Sequence, residues 1–252
     1  MIAGLDKFRE HFADYQDQYL LIGGAAAWLL LDEAGLDARA TKDLDIVLAI
    51  EVLDPRFAAA FWDFVVAGDY EICQKGNGER TFYRFAKPQV AGYPVMLELF
   101  SRVPDELKLG DGAKLTPIPV SEGVSSLSAI LLDDAYYEFL HQHRQVLDGI
   151  TLVSEKCLIP LKAKAWLDLS ARKGEPGVDS RDIKKHRSDI LRLYQLLPPG
   201  EPVELSDTVQ ADMEEFLSRV EPEISADMLK NLGIRGVSPK DVFLQIRRTY
   251  GI

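Results

Sequence analysis

The stretch Gly23–Leu48, GGAAAWLLLDEAGLDARATKDLDIVL, narrows what this chain can be more than any other part of it. A short apolar run, Tyr19–Ile22, reads as a strand that ends at the Gly23-Gly24 turn. Ala25–Glu33 consists of strong helix formers and is closed by Gly35. The polar segment Leu36–Asp43 then leads into Leu44–Ile50, which is β-branched and mostly apolar, hence a strand. Asp43 and Asp45 stand at the mouth of that strand. Side chains at i and i+2 of an extended chain point to one side, so both carboxylates can reach one cluster of hard cations; without cations they repel. The glycine turn lets a phosphate approach the backbone closely, and the free N–H groups at the next helix start favour an anion. Turn, helix and acidic pair together describe a site for an NTP with magnesium.

The rest of the first half supplies a scaffold of the same kind. Leu5, Phe8, Phe12 and Tyr15 have helical spacing, and Pro55 opens a helix through Phe57, Phe61, Phe64 and Val65. Tyr70–Cys73, Thr81–Ala86 and Tyr93–Phe100 read as strands, the last two forming a hairpin across Lys87–Gly92. Leu115–Val120 and Leu127–Leu132 are further strand candidates, and Tyr136–His143 fits either a helix or a strand. From about Ser154 the pattern turns helical: Cys157–Leu169, Asp182–Leu197, Asp207–Val220, Ile224–Leu232 and Pro239–Tyr250, with Ser206, Ser225 and Ser238 as N-caps. Pro160 marks a start or a kink in the first of these. The expected organisation is an α/β (α+β) domain over 1–149 followed by a helical domain over 150–252.

Composition removes several function classes. At 252 residues, 47% apolar and 27% charged, the chain is ordinary globular protein. The net charge of −11 excludes a histone-like binder of polyanions. Charge is uneven, though. Residues 156–192 hold ten Lys/Arg against five Asp/Glu, and residues 230–252 hold five against one. Cys73 and Cys157 are far apart and suggest neither a disulfide framework nor a zinc site. No apolar run reaches the ~18–20 residues of a membrane span, and charges at Asp6, Lys7, Arg9 and Glu10 interrupt any leader, so a cytoplasmic protein is expected. His141-x-His143 has no further ligand near it in sequence and reads as structural.

The acidic pair also fits the D-x-D of haloacid-dehalogenase-type phosphatases. Polarity decides against them, because there an apolar strand leads into the pair, whereas here ARATK precedes it and the apolar strand follows. The arrangement resembles the polymerase-β-like nucleotidyltransferase superfamily, and within it the AbiEii-type nucleotidyltransferases, toxin halves of type IV toxin–antitoxin systems. The resemblance is spread over roughly residues 20–197 and implies a nucleotidyltransferase core with a mixed sheet over 1–149 and a helical domain over 150–252 that completes the nucleotide cleft. It implies Asp43 and Asp45 as catalytic metal ligands with a third carboxylate on another strand, matched by Glu98 in Val95-Met-Leu-Glu-Leu-Phe100. Apolar neighbours make a buried Glu98 costly, so a metal or a positive partner is expected there. The nucleotide-binding positions implied are Gly23, Gly24, Arg39 and Thr41, together with Lys162 on the triphosphate and Asp182 paired with it. Lys164 is a competing register for the lysine. Ala25 stands where the family usually has Ser.

The resemblance implies transfer of a nucleoside monophosphate from an NTP, with two Mg²⁺ ions, to an acceptor hydroxyl. An RNA 3′ end, a protein and a small molecule all remain open as acceptors, as does a cognate antitoxin as partner. The alternative function is a catalytically weak nucleotide-binding protein that keeps the fold.

Overall fold

The computed structural model describes residues 2–48, 55–72, 82–100, 133–175, 178–200 and 202–252. The strand candidates at 115–120 and 127–132, and Cys73, lie outside the described residues. The chain divides into two compact units. One comprises Met1–Ala26, Ala40–Val124 and Arg144–Leu152; the other comprises Ala27–Arg39, Ser125–His143 and Val153–Ile252.

The first unit holds a seven-stranded mixed sheet. Its strands are β1 (Tyr19–Ile22), β2 (Asp43–Leu48), β3 (Glu71–Ile72), β4 (Phe82–Ala86), β5 (Met96–Phe100), β6 (Arg144–Leu147) and β7 (Ile150–Val153). The order across the sheet is β3-β4-β5-β2-β1-β7-β6. β2 runs antiparallel to β1 and parallel to β5, while β4 and β5 form the expected hairpin. β6 and β7 turn at Asp148-Gly149, both at positive φ (48° and 75°), as a two-residue type I′ hairpin requires.

Register sorts the side chains of this sheet into two faces. Tyr19, Leu21, Leu44, Ile46, Leu97, Leu99 and Phe85 share one of them. Helices α1 (Leu5–His11) and α3 (Pro55–Ala67) cover it with aromatic rings: Phe8 lies 5.3 Å from Tyr19, Phe12 5.7 Å from Phe57, and Phe61 5.5 Å from Phe85. Such edge and tilted contacts each add about 0.5–1.5 kcal/mol beyond burial. Ile22, Asp43, Asp45, Met96, Glu98 and Arg84 share the opposite face. All the acidic residues picked out on β2 and β5 therefore emerge on one side, with the aromatic core on the other.

Helix α2 (Gly23–Glu33) leaves β1 without an intervening loop. It ends as the sequence implies: Gly35 is left-handed (φ 68°) and the Leu36 amide reaches back to the Leu31 carbonyl at 2.8 Å, a Schellman closure.

The second unit is helical: α4 (Asp134–Gln142), α5 (Glu155–Ala171), α6 (Ser180–Leu193), α7 (Asp207–Val220), α8 (Ala226–Asn231) and α9 (Pro239–Tyr250). The three serine caps form as expected, Ser206, Ser225 and Ser238 accepting from Val209, Met228 and Asp241 amides. Tyr136–His143 resolves as helix, with His141 tilted against Tyr137 and His143 edge-on to Phe139, each at 4.4 Å. Helix α5 packs against α4, α6 and α7. It continues through Pro160, and Cys157–Ala163 are all buried. Among the described residues no helix is long and apolar enough to cross a membrane.

Candidate active site

In the first unit, the row Ile22, Asp45, Glu98, Arg84 runs across β1, β2, β5 and β4. Asp43 lies two residues back from Asp45 on the same face, and both are half-buried. The Gly24 amide, at the start of α2, donates to Asp45 Oδ2 at 3.4 Å. A carboxylate there also complements the positive end of the helix dipole. Gly23 makes the approach of β2 to the turn possible. Its φ is +65°, and a Cβ on it would lie 1.8 Å from Asp45 Oδ2, so a side chain there is strained and displaces the Asp45 carboxylate. The sequence reading assigns the Gly24 amide to a phosphate; as folded, it is engaged by the chain's own acid.

Glu98 is 7% exposed. Arg84 grips it with two nitrogens on the same oxygen: Nε donates to Oε1 at 2.7 Å and a terminal nitrogen sits at 2.6 Å. Of the two expectations for this residue, a metal or a positive partner, the second is met. Asp45 and Glu98 are lateral neighbours on adjacent strands, where like charges repel, and Arg84 on the next strand offsets that.

This bears on a divalent cation. Magnesium at nucleotide sites is held by one or two carboxylates, with phosphates and water completing the shell. Asp43 and Asp45 fit that pattern. Glu98, committed to Arg84, does not add a third ligand as it stands. Among the described residues no three His, Cys, Asp or Glu side chains converge well enough to hold a metal, so the expected cluster of three carboxylates is not preformed.

In the second unit, Lys162 is 4% exposed on α5 and donates to Asp189 Oδ2 at 2.9 Å. Arg39 reaches the other oxygen of Asp189 at 3.4 Å, and Arg192 lies 3.8 Å away. Burial pushes the Asp189 carboxyl up, but Lys162 and Arg39 outweigh it and hold it below the ordinary carboxylate value. His186 stands beside this cluster. Burial, reinforced by the Lys162 charge, drives its imidazole down to about 4, and its Nδ1 has no hydrogen-bond partner. The partner of Lys162 is therefore Asp189 and not Asp182, which pairs with Lys185 at the surface at 2.6 Å. Lys164, the competing register, is bound to Asp212 at 3.0 Å, where the Tyr136 hydroxyl also donates. Thr41 is half-buried in the extended segment before β2.

Arg84 and His186 were not foreseeable as site neighbours from spacing alone. Arg84 becomes legible once the β4–β5 hairpin register is counted, because it then falls opposite Glu98.

No protein-family model matches the sequence, and no curated protein matches it. Two solved structures are similar to the chain. An antigenic nucleotidyltransferase-like protein from Paracoccidioides brasiliensis is 18% identical, with 96% of this chain and 99% of that one covered, at a TM-score of 0.49. The antibiotic-resistance factor ANT(2'')-Ia is 12% identical, with 87% and 92% covered, at a TM-score of 0.38.

Proposed function

We propose that this protein is a magnesium-dependent nucleotidyltransferase that moves a nucleoside monophosphate from an NTP to an acceptor hydroxyl. The observation that supports it is the same-face pair Asp43 and Asp45 set against the Gly23-Gly24 turn at the start of α2. In this reading Asp43 and Asp45 hold the cation. A bound Mg²⁺ supplies Lewis-acid charge at the α-phosphate and lowers the pKa of the acceptor hydroxyl. Gly23, lacking a Cβ, lets Asp45 close on the turn, and the Gly24 amide turns from Asp45 to a phosphate oxygen. Thr41 braces the segment that carries the acidic pair. On the helical unit, Asp189 positions both Arg39 and Lys162, the cations that the resemblance matches to nucleotide binding. Asp182 keeps a surface role beside Lys185.

The finer assignment is to the AbiEii type, with the acceptor an RNA 3′ end, a protein or a small molecule, and with a cognate antitoxin as partner. Purified protein incubated with each α-labelled NTP, Mg²⁺ and total RNA or cell protein tests it. Label transfer that disappears in Asp45→Asn supports the reading; absence of transfer to every acceptor class, with all four NTPs, overturns it.

A second reading has its own support in the Arg84–Glu98 pair: a nucleotide-binding protein that keeps the fold and transfers weakly or not at all. It requires NTP binding without turnover. In Arg84→Met, Mg²⁺ raises the melting temperature if the released Glu98 is a ligand, and that rise is absent when Glu98→Gln is added.

A further inference from the structure

We infer that the second unit carries a separate binding site for phosphate esters, in a groove formed by α5, α6 and the end of α7. The groove encloses about 520 Å³ and is lined by Trp166, Ser170, Lys173, Lys184, Arg187 and Arg219, with Ser180, Ile183 and Glu223 completing the wall. Four cations thus face one concavity in a protein whose net charge is −11. Three of the ten cations of the basic window 156–192, Lys173, Lys184 and Arg187, line this groove, and Arg219 joins them from α7.

Carboxylates neutralise only part of that charge. Arg187 pairs with Glu223 at 2.6 Å, and Arg219 pairs with Glu215 at 3.0 Å. Lys173 and Lys184 are exposed and have no carboxylate partner among the described residues. Two fixed arginines and two free ammonium groups repel one another until an anion enters, and an ammonium is a good point-charge partner for phosphate.

A second feature is independent of the charge. The Ser170 hydroxyl is shielded from solvent and has no hydrogen-bond partner, which is costly unless a ligand supplies one. It lines the same groove, where Ser180 offers a second hydroxyl. The floor is rigid: the Arg219 guanidinium lies 5.0 Å over the Trp166 ring, whose edge contact with Phe216 is 5.4 Å. The Arg219 guanidinium covers one face of the indole, so on that face the phosphates and not a stacked base carry recognition. The ligand is a phosphate ester of at least two charges, either a single-stranded nucleic-acid backbone or a compact polyphosphate. The site does not depend on Asp43 or Asp45.

Full-length protein is titrated with a labelled short oligoribonucleotide and with inorganic tripolyphosphate, at several salt concentrations. At least one probe binds. In Lys173→Glu/Lys184→Glu its affinity falls about tenfold or more and the salt slope shrinks by about one to two. Lys230→Glu/Arg235→Glu, the same charge change elsewhere on the unit, leaves affinity within about twofold, and Asp45→Asn binds as the wild type does. Binding of the oligoribonucleotide alone identifies a strand; displacement by tripolyphosphate identifies a compact polyphosphate. The proposal is overturned if neither probe binds, if the groove variant binds normally, or if the control variant loses as much as the groove variant. Because transfer is scored separately in Asp45→Asn, failure here is distinct from failure of the transferase reading.

Discussion

Glu98 and Asp45 sit side by side and are treated differently by the fold. Asp45 is half-buried and faces a helix start, whereas Glu98 is buried and clamped by Arg84. Arg84→Met strands the Glu98 carboxylate. The expected loss of stability is about 2 kcal/mol, below the range for a fully buried pair because Arg84 is itself partly exposed. Denaturant unfolding measures it, and adding Glu98→Gln should recover most of the loss. His186 gives a pH signature. Its folded pKa, about 4, lies below the unfolded value of 6.5, so the unfolded chain takes up a proton first as pH falls. Its contribution is complete above pH 6.5 and is lost between there and about pH 4, up to about 3 kcal/mol. Asp189, also depressed, loses its contribution in the same direction at lower pH. His186→Gln should flatten the stability profile between pH 6.5 and 4 in pH-dependent melts; an unchanged slope would show that the imidazole does not report the cluster. At this scale the D-x-D pair and the glycines were legible because they depend on local spacing. The choice between Asp182 and Asp189 was not. They lie seven residues apart on one helix face, and only burial separates them: Asp182 is in the solvated first turn of α6, Asp189 beside the buried Ile190 and Leu191.

At the scale of the element, Pro160 is the informative case. A proline inside α5 has no N–H for the carbonyl four residues earlier, that of Lys156. The buried Tyr250 hydroxyl, from the last turn of α9, donates to that oxygen at 2.9 Å. Tyr250→Phe therefore orphans a buried acceptor and should cost about 1–3 kcal/mol. In a Pro160→Ala background, where the helix amide is restored, the same change should cost less; equal losses in a double-mutant cycle would show the two are uncoupled. Helix boundaries were readable because caps and glycine stops are local chemistry, as Ser206, Ser225, Ser238 and Gly35 show. The β6–β7 hairpin, to which the sequence reading assigns no element, carries the Asp-Gly signal at 148–149. Its strands are too short for hydrophobic alternation to stand out. The partner of a helix carbonyl broken by proline depends on tertiary packing and has no sequence signature.

For the whole molecule, charge is the quantity that organises function. Acidic side chains emerge on one face of the mixed sheet, away from its aromatic core, and on the other unit four cations, two of them paired with carboxylates, line one groove. Several strands of the sheet and the helical C-terminal part were legible from periodicity. Which side chains share a sheet face was not, because that needs the pairing of β2 with β5 across about fifty residues of chain, and long-range pairing leaves no local trace. The central claim is that Asp43 and Asp45 form a magnesium–nucleotide site with the Gly23-Gly24 turn. Calorimetric titration with a non-transferable α,β-methylene NTP, with and without Mg²⁺, tests it most directly. The wild type should bind only with Mg²⁺, and Asp43→Asn/Asp45→Asn should lose at least about a hundredfold in affinity while its circular dichroism stays that of the folded protein. Metal-independent binding, or equal affinity in the double variant, would contradict it.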